Sequence, residues 1–138
     1  MPIEIERKFL VASEAWRSAV SVSRLIRQGY IMRTGALSVR VRTIDDEAFI
    51  TIKNRVPGPA RAEFEYAIPR EDAEALLGYC DQPLIEKTRH HLTHEGREWT
   101  IDEFEGHRAG LFLAECELDA PDQTLALPDW VGGEVTND

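Results

Sequence analysis

Glu4, Glu6 and Lys8 stand two residues apart at the start of the chain, in IEIERKF, and the spacing recurs as Glu63 and Glu65 in EFEY and as Glu115 and Glu117 in AECEL. Residues i, i+2 and i+4 of an extended strand share a face. Ile3, Ile5 and Phe9, Phe64 and Tyr66, and Ala114, Cys116 and Leu118 take the opposite faces. Bases are sorted in the same way, as Arg40 and Arg42 in VRVR, Lys53 in FITIK, and Lys87 and Arg89 in IEKTRHHL. An idle exposed sheet also alternates apolar and polar residues, but it mixes Lys, Glu, Thr and Ser along each strand. Here acids occur in E-x-E pairs on some strands and bases as R-x-R, K or K-x-R on others. Closure of the sheet would bring both sets inside one pore.

The contents of such a pore define its ligand. Closing about eight strands leaves an interior just wide enough for side chains or one small molecule. Ionised groups are costly to take out of water unless they are neutralised, so Lys8, Arg40, Arg42, Lys53, Lys87 and Arg89 together imply an anion with many charges. Clustered carboxylates in the same lumen imply a divalent cation. Hard oxygen donors favour Mg²⁺ or Mn²⁺, whereas zinc prefers the His and Cys that the glutamate pairs lack. A polyphosphate with its metal satisfies both sets.

The elements that must position these groups follow from periodicity. Alternation predicts strands at about 3–11, 25–33, 37–44, 47–54, 61–68, 85–94, 97–105 and 111–119, bounded by turn residues such as Thr34-Gly35, Asp45-Asp46 and Pro57-Gly58-Pro59. Two stretches read as helices: SEAWRSAV with Ser13 as N-cap, and REDAEALLGYC with Ala73, Leu76, Leu77 and Cys80 on one side. Short connections favour antiparallel hairpins. The tail DWVGGEVTND is rich in turn residues and reads as loosely held. The expected fold is mainly β (α+β), an eight-stranded antiparallel closed barrel with a few short helices outside.

At 138 residues and 43% hydrophobic content, the chain suits a single domain with a proper core. A net charge of -9 disfavours nucleic acid as partner, because phosphate backbones need a basic surface. No leader pattern and no apolar run of about 20 residues is present, so no membrane partner and a cytoplasmic address are expected. Cys80 and Cys116 read as small buried hydrophobes. If the polar faces line the lumen, Val39, Val41, Ile50, Ile52, Phe64, Tyr66 and Ile68 point outward. Two short helices look too few to cover them, which predicts a homodimer.

The ordered series Glu4-x-Glu6-x-Lys8, Arg40-x-Arg42, Lys53, Glu63-x-Glu65, Lys87-x-Arg89, Asp102 and Glu115-x-Glu117, with IRQGY at Ile26 to Tyr30 and FEG at Phe104 to Gly106, resembles the CYTH superfamily, the triphosphate tunnel metalloenzymes. The resemblance runs nearly end to end. It implies an eight-stranded tunnel that takes a triphosphate-containing small molecule with a divalent metal. It implies that Lys8, Arg40, Arg42, Lys53, Lys87 and Arg89 bind phosphates, that Glu4, Glu6, Glu115 and Glu117 hold metal, and that Asp102 is a further ligand. Glu63 and Glu65 are implied as ligands or orienters of a second metal and its water; the demands of phosphoryl transfer add Lys87 as a group to neutralise charge on the leaving group. The chain departs from the family pattern at EVTND, where relatives continue into another basic or aromatic segment and a helix.

Within that family a minimal inorganic triphosphatase is the expected activity. The alternatives are a class IV adenylate cyclase and a non-catalytic polyphosphate- or nucleotide-binding module. A lipocalin-like carrier would need an apolar lumen. Arg61 shares a face with Glu63 and Glu65 and reads equally as a phosphate contact or a solvated charge. Tyr30 points either into or out of the tunnel. His90, His91, His94 and His107 read as surface residues, and Trp99 and Ile101 as wall packing. No P-loop is present, nor a Ser or Cys nucleophile in a recognisable setting.

Overall fold

The structure, a computed structural model, describes residues 3–136; Asn137 and Asp138 of the EVTND tail lie outside the described residues. Among the described residues nine strands form: β1 (Ile3–Val11), β2 (Val20–Arg33), β3 (Leu37–Ile44), β4 (Glu47–Asn54), β5 (Ala60–Ala67), β6 (Ile85–His94), β7 (Arg97–Phe104), β8 (Phe112–Glu117) and β9 (Val131–Glu134). One α-helix, α1 (Arg70–Leu77), lies between β5 and β6. Eight strands run in the order β5-β4-β3-β2-β6-β7-β8-β1, and β1 returns to β5. All neighbours are antiparallel, so the sheet closes as expected.

Closure depends on β1 changing partners along its length. Ile3–Ile5 pair with Ala60–Ala62 of β5, whereas Phe9 and Val11 pair with β9 on the same edge. On its other edge β1 pairs with β8, which sets Glu6 opposite Glu117 and Lys8 opposite Glu115. Elsewhere Gln28 faces Arg42, Lys53 faces Glu63 and Arg89 faces Asp102. The alternation read from sequence thus becomes cross-strand pairs, acid with base at Lys8 and Glu115, Lys53 and Glu63, and Arg89 and Asp102, but acid with acid at Glu6 and Glu117.

The hydrophobic core lies outside the barrel wall. Phe9, Leu92, Trp99, Ile101, Ala114 and Cys116 face outward from β1, β6, β7 and β8 and are covered by Trp16 and Trp130. A second cluster sets Val41 and Ala48 beneath Ala73, Leu77 and Cys80, with Ile50 and Ile68 packed against it. So α1 covers Val41 completely and shields Ile50 and Ile68, which corrects the expectation of a bare wall there. Tyr66 does remain exposed, at 57%.

Two further expectations need correction. The predicted helix at SEAWRSAV is a single 3-10 turn, Ala15–Ala19, with no side-chain N-cap; the Ser13 hydroxyl accepts only from the Ala15 N–H at 3.4 Å. β2 begins at Val20 rather than 25, because Val20, Val22 and Ser23 find partners on β6 that local propensity does not reveal. Tertiary pairing overrides a weak helical signal.

Through Thr136 the turn-rich tail is held rather than loose. Trp130 is 6% exposed and meets Trp99 edge-on at 5.5 Å. β9 then docks on β1, where Arg7 grips both oxygens of Glu134 at 2.7 and 3.0 Å. Hydrogen bonds from Arg7 and then Thr136 hold the Glu134 carboxyl down at about 2, against an ordinary value of 4.5. A depressed acid contributes stability above its unfolded pKa and loses it as pH falls through the folded one. Comparing urea unfolding of the parent and Glu134→Gln should therefore give a stability difference that is constant above pH 5 and closes as pH falls from 4.5 to 2. A difference independent of pH would exclude the pair as its source.

Candidate active site

The barrel encloses a cavity of about 1090 Å³. Glu4, Glu6 and Lys8 reach it from β1, Arg40 and Arg42 from β3, and Lys53 from β4. Glu63 and Glu65 enter from β5, Lys87 and Arg89 from β6, Asp102 from β7, and Glu115 and Glu117 from β8. Every acid and base assigned to the lumen from sequence therefore lines one space. Strand parity carried that assignment.

The charges are arranged unevenly. Asp102, 2% exposed, accepts two hydrogen bonds from Arg89 at 2.8 and 2.9 Å and an ion pair from Lys87 at 2.7 Å. Burial raises the Asp102 pKa, but Arg89 and Lys87 outweigh it and hold the carboxyl well below the usual range. Burial lowers Lys87 despite that partner, whereas for Arg89 the bonds to Asp102 outweigh burial and raise it. On the opposite wall, Glu65 Oε2 accepts from Thr51 at 3.0 Å and Arg42 at 3.2 Å. Lys53 lies 3.6 Å from Glu4 and 3.7 Å from Glu63. Burial, then the charges of Arg40 and Arg89, lower Arg42 to about 10.

Carboxylates and cations are each left over. Burial, then the charge of Glu4, raise the Glu6 carboxyl; burial, then Glu6 and Asp102, raise Glu115. Among the described residues, the side chains of Lys8 and Arg40 make no ion pair, and the buried Nε atoms of Arg40, Arg42 and Arg61 have no acceptor. No group of three or more His, Cys, Asp or Glu side chains among the described residues is close enough to cage a metal ion unaided. The donor set still fits a hard divalent cation. Mg²⁺ characteristically takes one or two carboxylates and completes its octahedron with water and phosphate oxygens, so it needs no protein cage. An acidic corner at Glu4, Glu6 and Glu115 supplies such carboxylates.

Several lumen groups escaped sequence reading. Gln28, Ser38 and Thr51 are neutral and carried no charge signal, although Ser38 shares parity with Arg40 and Thr51 with Lys53; Gln28 shares it with Tyr30, whose direction the sequence left open. Arg33 escaped for another reason. The β2–β3 register shifts between Tyr30 and Met32, so Arg33 pairs with Ser38 and faces the cavity despite its odd number. A bulge reverses parity downstream. Arg33 also stacks over the ring of Tyr30 at 3.8 Å, and both line the cavity. Arg61 lines it too and donates to the Thr136 carbonyl at 3.4 Å.

The remaining candidates sit away from the lumen charges. Trp99 and Ile101 are fully buried in the outer core, as expected of wall residues. His90 is less superficial than expected, with a side chain 13% exposed beside Trp16 and bonded to Ser23 at 2.7 Å and Glu103 at 3.0 Å. His91 meets Glu98 at 2.9 Å. Both cysteines are free and buried. No helix among the described residues is long and apolar enough to cross a membrane.

A closed antiparallel barrel with an inward lining of sorted acids and bases defines a polyanion tunnel. The chain belongs to the CYTH domain family, whose pattern matches residues 2–137. It is 43% identical over 136 residues to an inorganic triphosphatase of Acetivibrio thermocellus, covering 98% of this chain and 86% of that one. It is 36% identical over 139 residues to an inorganic triphosphatase of Nitrosomonas europaea, covering 98% and 90%. A crystal structure of an inorganic triphosphatase superposes with a TM-score of 0.69 at 34% identity, covering 100% of this chain and 89% of that one. A Hippeastrum protein described as an adenylyl cyclase with a dominant triphosphatase activity superposes at 0.67 with 16% identity, covering 86% and 81%. That last likeness speaks for the fold alone.

Proposed function

We propose that this chain is a metal-dependent triphosphatase that hydrolyses the terminal phosphate of inorganic triphosphate inside the barrel. The observation that carries the reading is the set of cationic donors unused by the protein: the ammonium of Lys8, the guanidinium of Arg40, and the buried Nε atoms of Arg42 and Arg61. Buried donors are normally satisfied, and phosphate oxygens are the acceptors that guanidinium groups fit best. Relatives named inorganic triphosphatases support the same substrate.

In this reading Lys8, Arg40, Arg42, Lys53, Lys87 and Arg89 spread positive charge around the phosphates, the main requirement of phosphoryl transfer. Glu4, Glu6, Glu115 and Glu117 hold a divalent cation, Mg²⁺ or Mn²⁺, which when bound neutralises phosphate oxygens and acidifies water. Asp102, expected as a further ligand, has its oxygens taken by Arg89 and Lys87 and serves to hold those cations in place. Arg42 and Thr51 fix one oxygen of Glu65, so its other oxygen is positioned to take the proton of the attacking water. Glu63, 3.7 Å from Lys53, is the second carboxylate of that wall. The new bond joins water oxygen to the terminal phosphorus, and the bond to diphosphate breaks. Lys87 offsets charge on that leaving group.

The reading includes a cytoplasmic setting, in keeping with two free buried cysteines, and a homodimer seated on the wall around exposed Tyr66. Incubation with tripolyphosphate, ATP or thiamine triphosphate and either metal tests the activity. Orthophosphate is expected fastest from tripolyphosphate. Pyrophosphate with cyclic AMP from ATP would make it a cyclase, and tight binding without turnover a binding module.

A further inference from the structure

Gln28 occupies the middle of β2, lines the cavity and is 4% exposed. Its register partners are Arg42 on β3 and Ile85 on β6, and Ile26, next along the same face, pairs with Lys87. Its amide therefore sits among the phosphate-binding cations. Yet its carbonyl Oε1 is buried with no hydrogen-bond donor. Among the described lumen side chains, Glu63 Oε2 is the other buried acceptor oxygen in that condition, and it has Lys53 at 3.7 Å as a charge partner. Gln28 Oε1 has none.

The chemistry of the lumen restricts what can satisfy that oxygen. Phosphate oxygens are themselves acceptors, so a carbonyl oxygen gains nothing by facing them. A hydrogen-bond donor is needed; the N–H groups of the neighbouring cations make no bond to Oε1, and the hydrolysis brings a water O–H to the terminal phosphorus. An amide can accept from water through Oε1 and donate through Nε2 to a phosphoryl oxygen, without adding charge. A carboxylate at this position would repel the substrate, and a further cation would offer no acceptor for the second proton of the water.

We propose that Gln28 is a catalytic residue that orients the attacking water, its Oε1 accepting a hydrogen bond from that water while Nε2 donates to the phosphoryl group. The proposal rests on the triphosphatase reading. Gln28 forms no covalent bond and takes no proton; those remain with Glu65. Its contribution is alignment of the nucleophile, a term whose loss slows the chemical step and leaves ground-state binding intact.

Gln28→Leu removes the amide at similar volume, and Gln28→Met provides a more adaptable side chain if the branched one disturbs β2. The measurements are kcat and KM for tripolyphosphate with Mg²⁺, the Kd of imidotriphosphate as a slowly hydrolysed mimic, and urea unfolding. A roughly 30- to 100-fold fall in kcat, with KM and Kd within about 2-fold of the parent, is expected for both variants. Unchanged kcat, or a loss carried by KM and Kd together, overturns the assignment while leaving the triphosphatase reading in place. A parent that binds tripolyphosphate without releasing phosphate overturns both.

Discussion

Glu6→Gln is expected to slow phosphate release from tripolyphosphate by roughly 10²- to 10³-fold and to leave the barrel folded. Glu6 stands directly opposite Glu117 on β8, and its carboxyl is raised by burial and by the charge of Glu4. Like charges opposed across a sheet are destabilising, so the amide relieves repulsion. The metal-free variant should consequently unfold at the same or a higher urea concentration than the parent. Loss of activity joined to unchanged or improved stability is what a residue kept for function produces, since functional sites hold groups at a cost to stability. Parental turnover with parental metal dependence would remove the acidic corner from the reaction.

Asp102→Ala is expected to show the largest loss of stability, about 3–5 kcal/mol in urea unfolding, because it strands two buried cations. The side chains of Lys87 and Arg89 are only 7% and 17% exposed, and Asp102 is the carboxylate within ion-pair distance of each. Asp102→Asn keeps the shape but not the charge and should fall between the parent and Asp102→Ala. Activity should fall as well, since Lys87 and Arg89 lose the group that aims them. The two roles considered for Asp102 separate cleanly here. An anchor predicts lost stability in metal-free protein. A ligand predicts near-parental metal-free stability with weakened divalent binding, and that pattern would reverse our assignment.

Much of the site was legible because a strand repeats every two residues. Once Glu4 and Glu6 were set on one face, Lys8 had to join them, and the same parity placed Arg40 with Arg42 and Lys87 with Arg89. Parity failed at Arg33, where an extra residue in β2 turns a side chain back toward the lumen. It was silent on Gln28 and Thr51, because a neutral polar residue looks the same on a solvated face as in a tunnel. The role of Asp102 was also out of reach, since a carboxylate that binds metal and one that binds two cations have the same sequence.

The outer layer was less legible still. Trp16 and Trp130 sit in segments with weak local signals, one in a 3-10 turn and one before a four-residue strand. Their burial comes from meeting Trp99, Leu92 and Phe9, residues distant in sequence. A tail that reads as turns becomes β9 only because the edge of β1 beyond Ile5 is free of β5 and Arg7 is there to bind Glu134.

The sequence alone determined the chemistry of the lining: which residues are acids or bases, and which of them share a strand face, because both are local properties of residue type and spacing. Only the tertiary structure decided which charges neutralise one another and which are left for a ligand. Pairing energy depends on distance across strands far apart in the chain. Barrel closure brings Lys87 and Arg89 onto Asp102, and it leaves Glu6, Glu115, Lys8 and Arg40 for the metal and the phosphates of the proposed reaction.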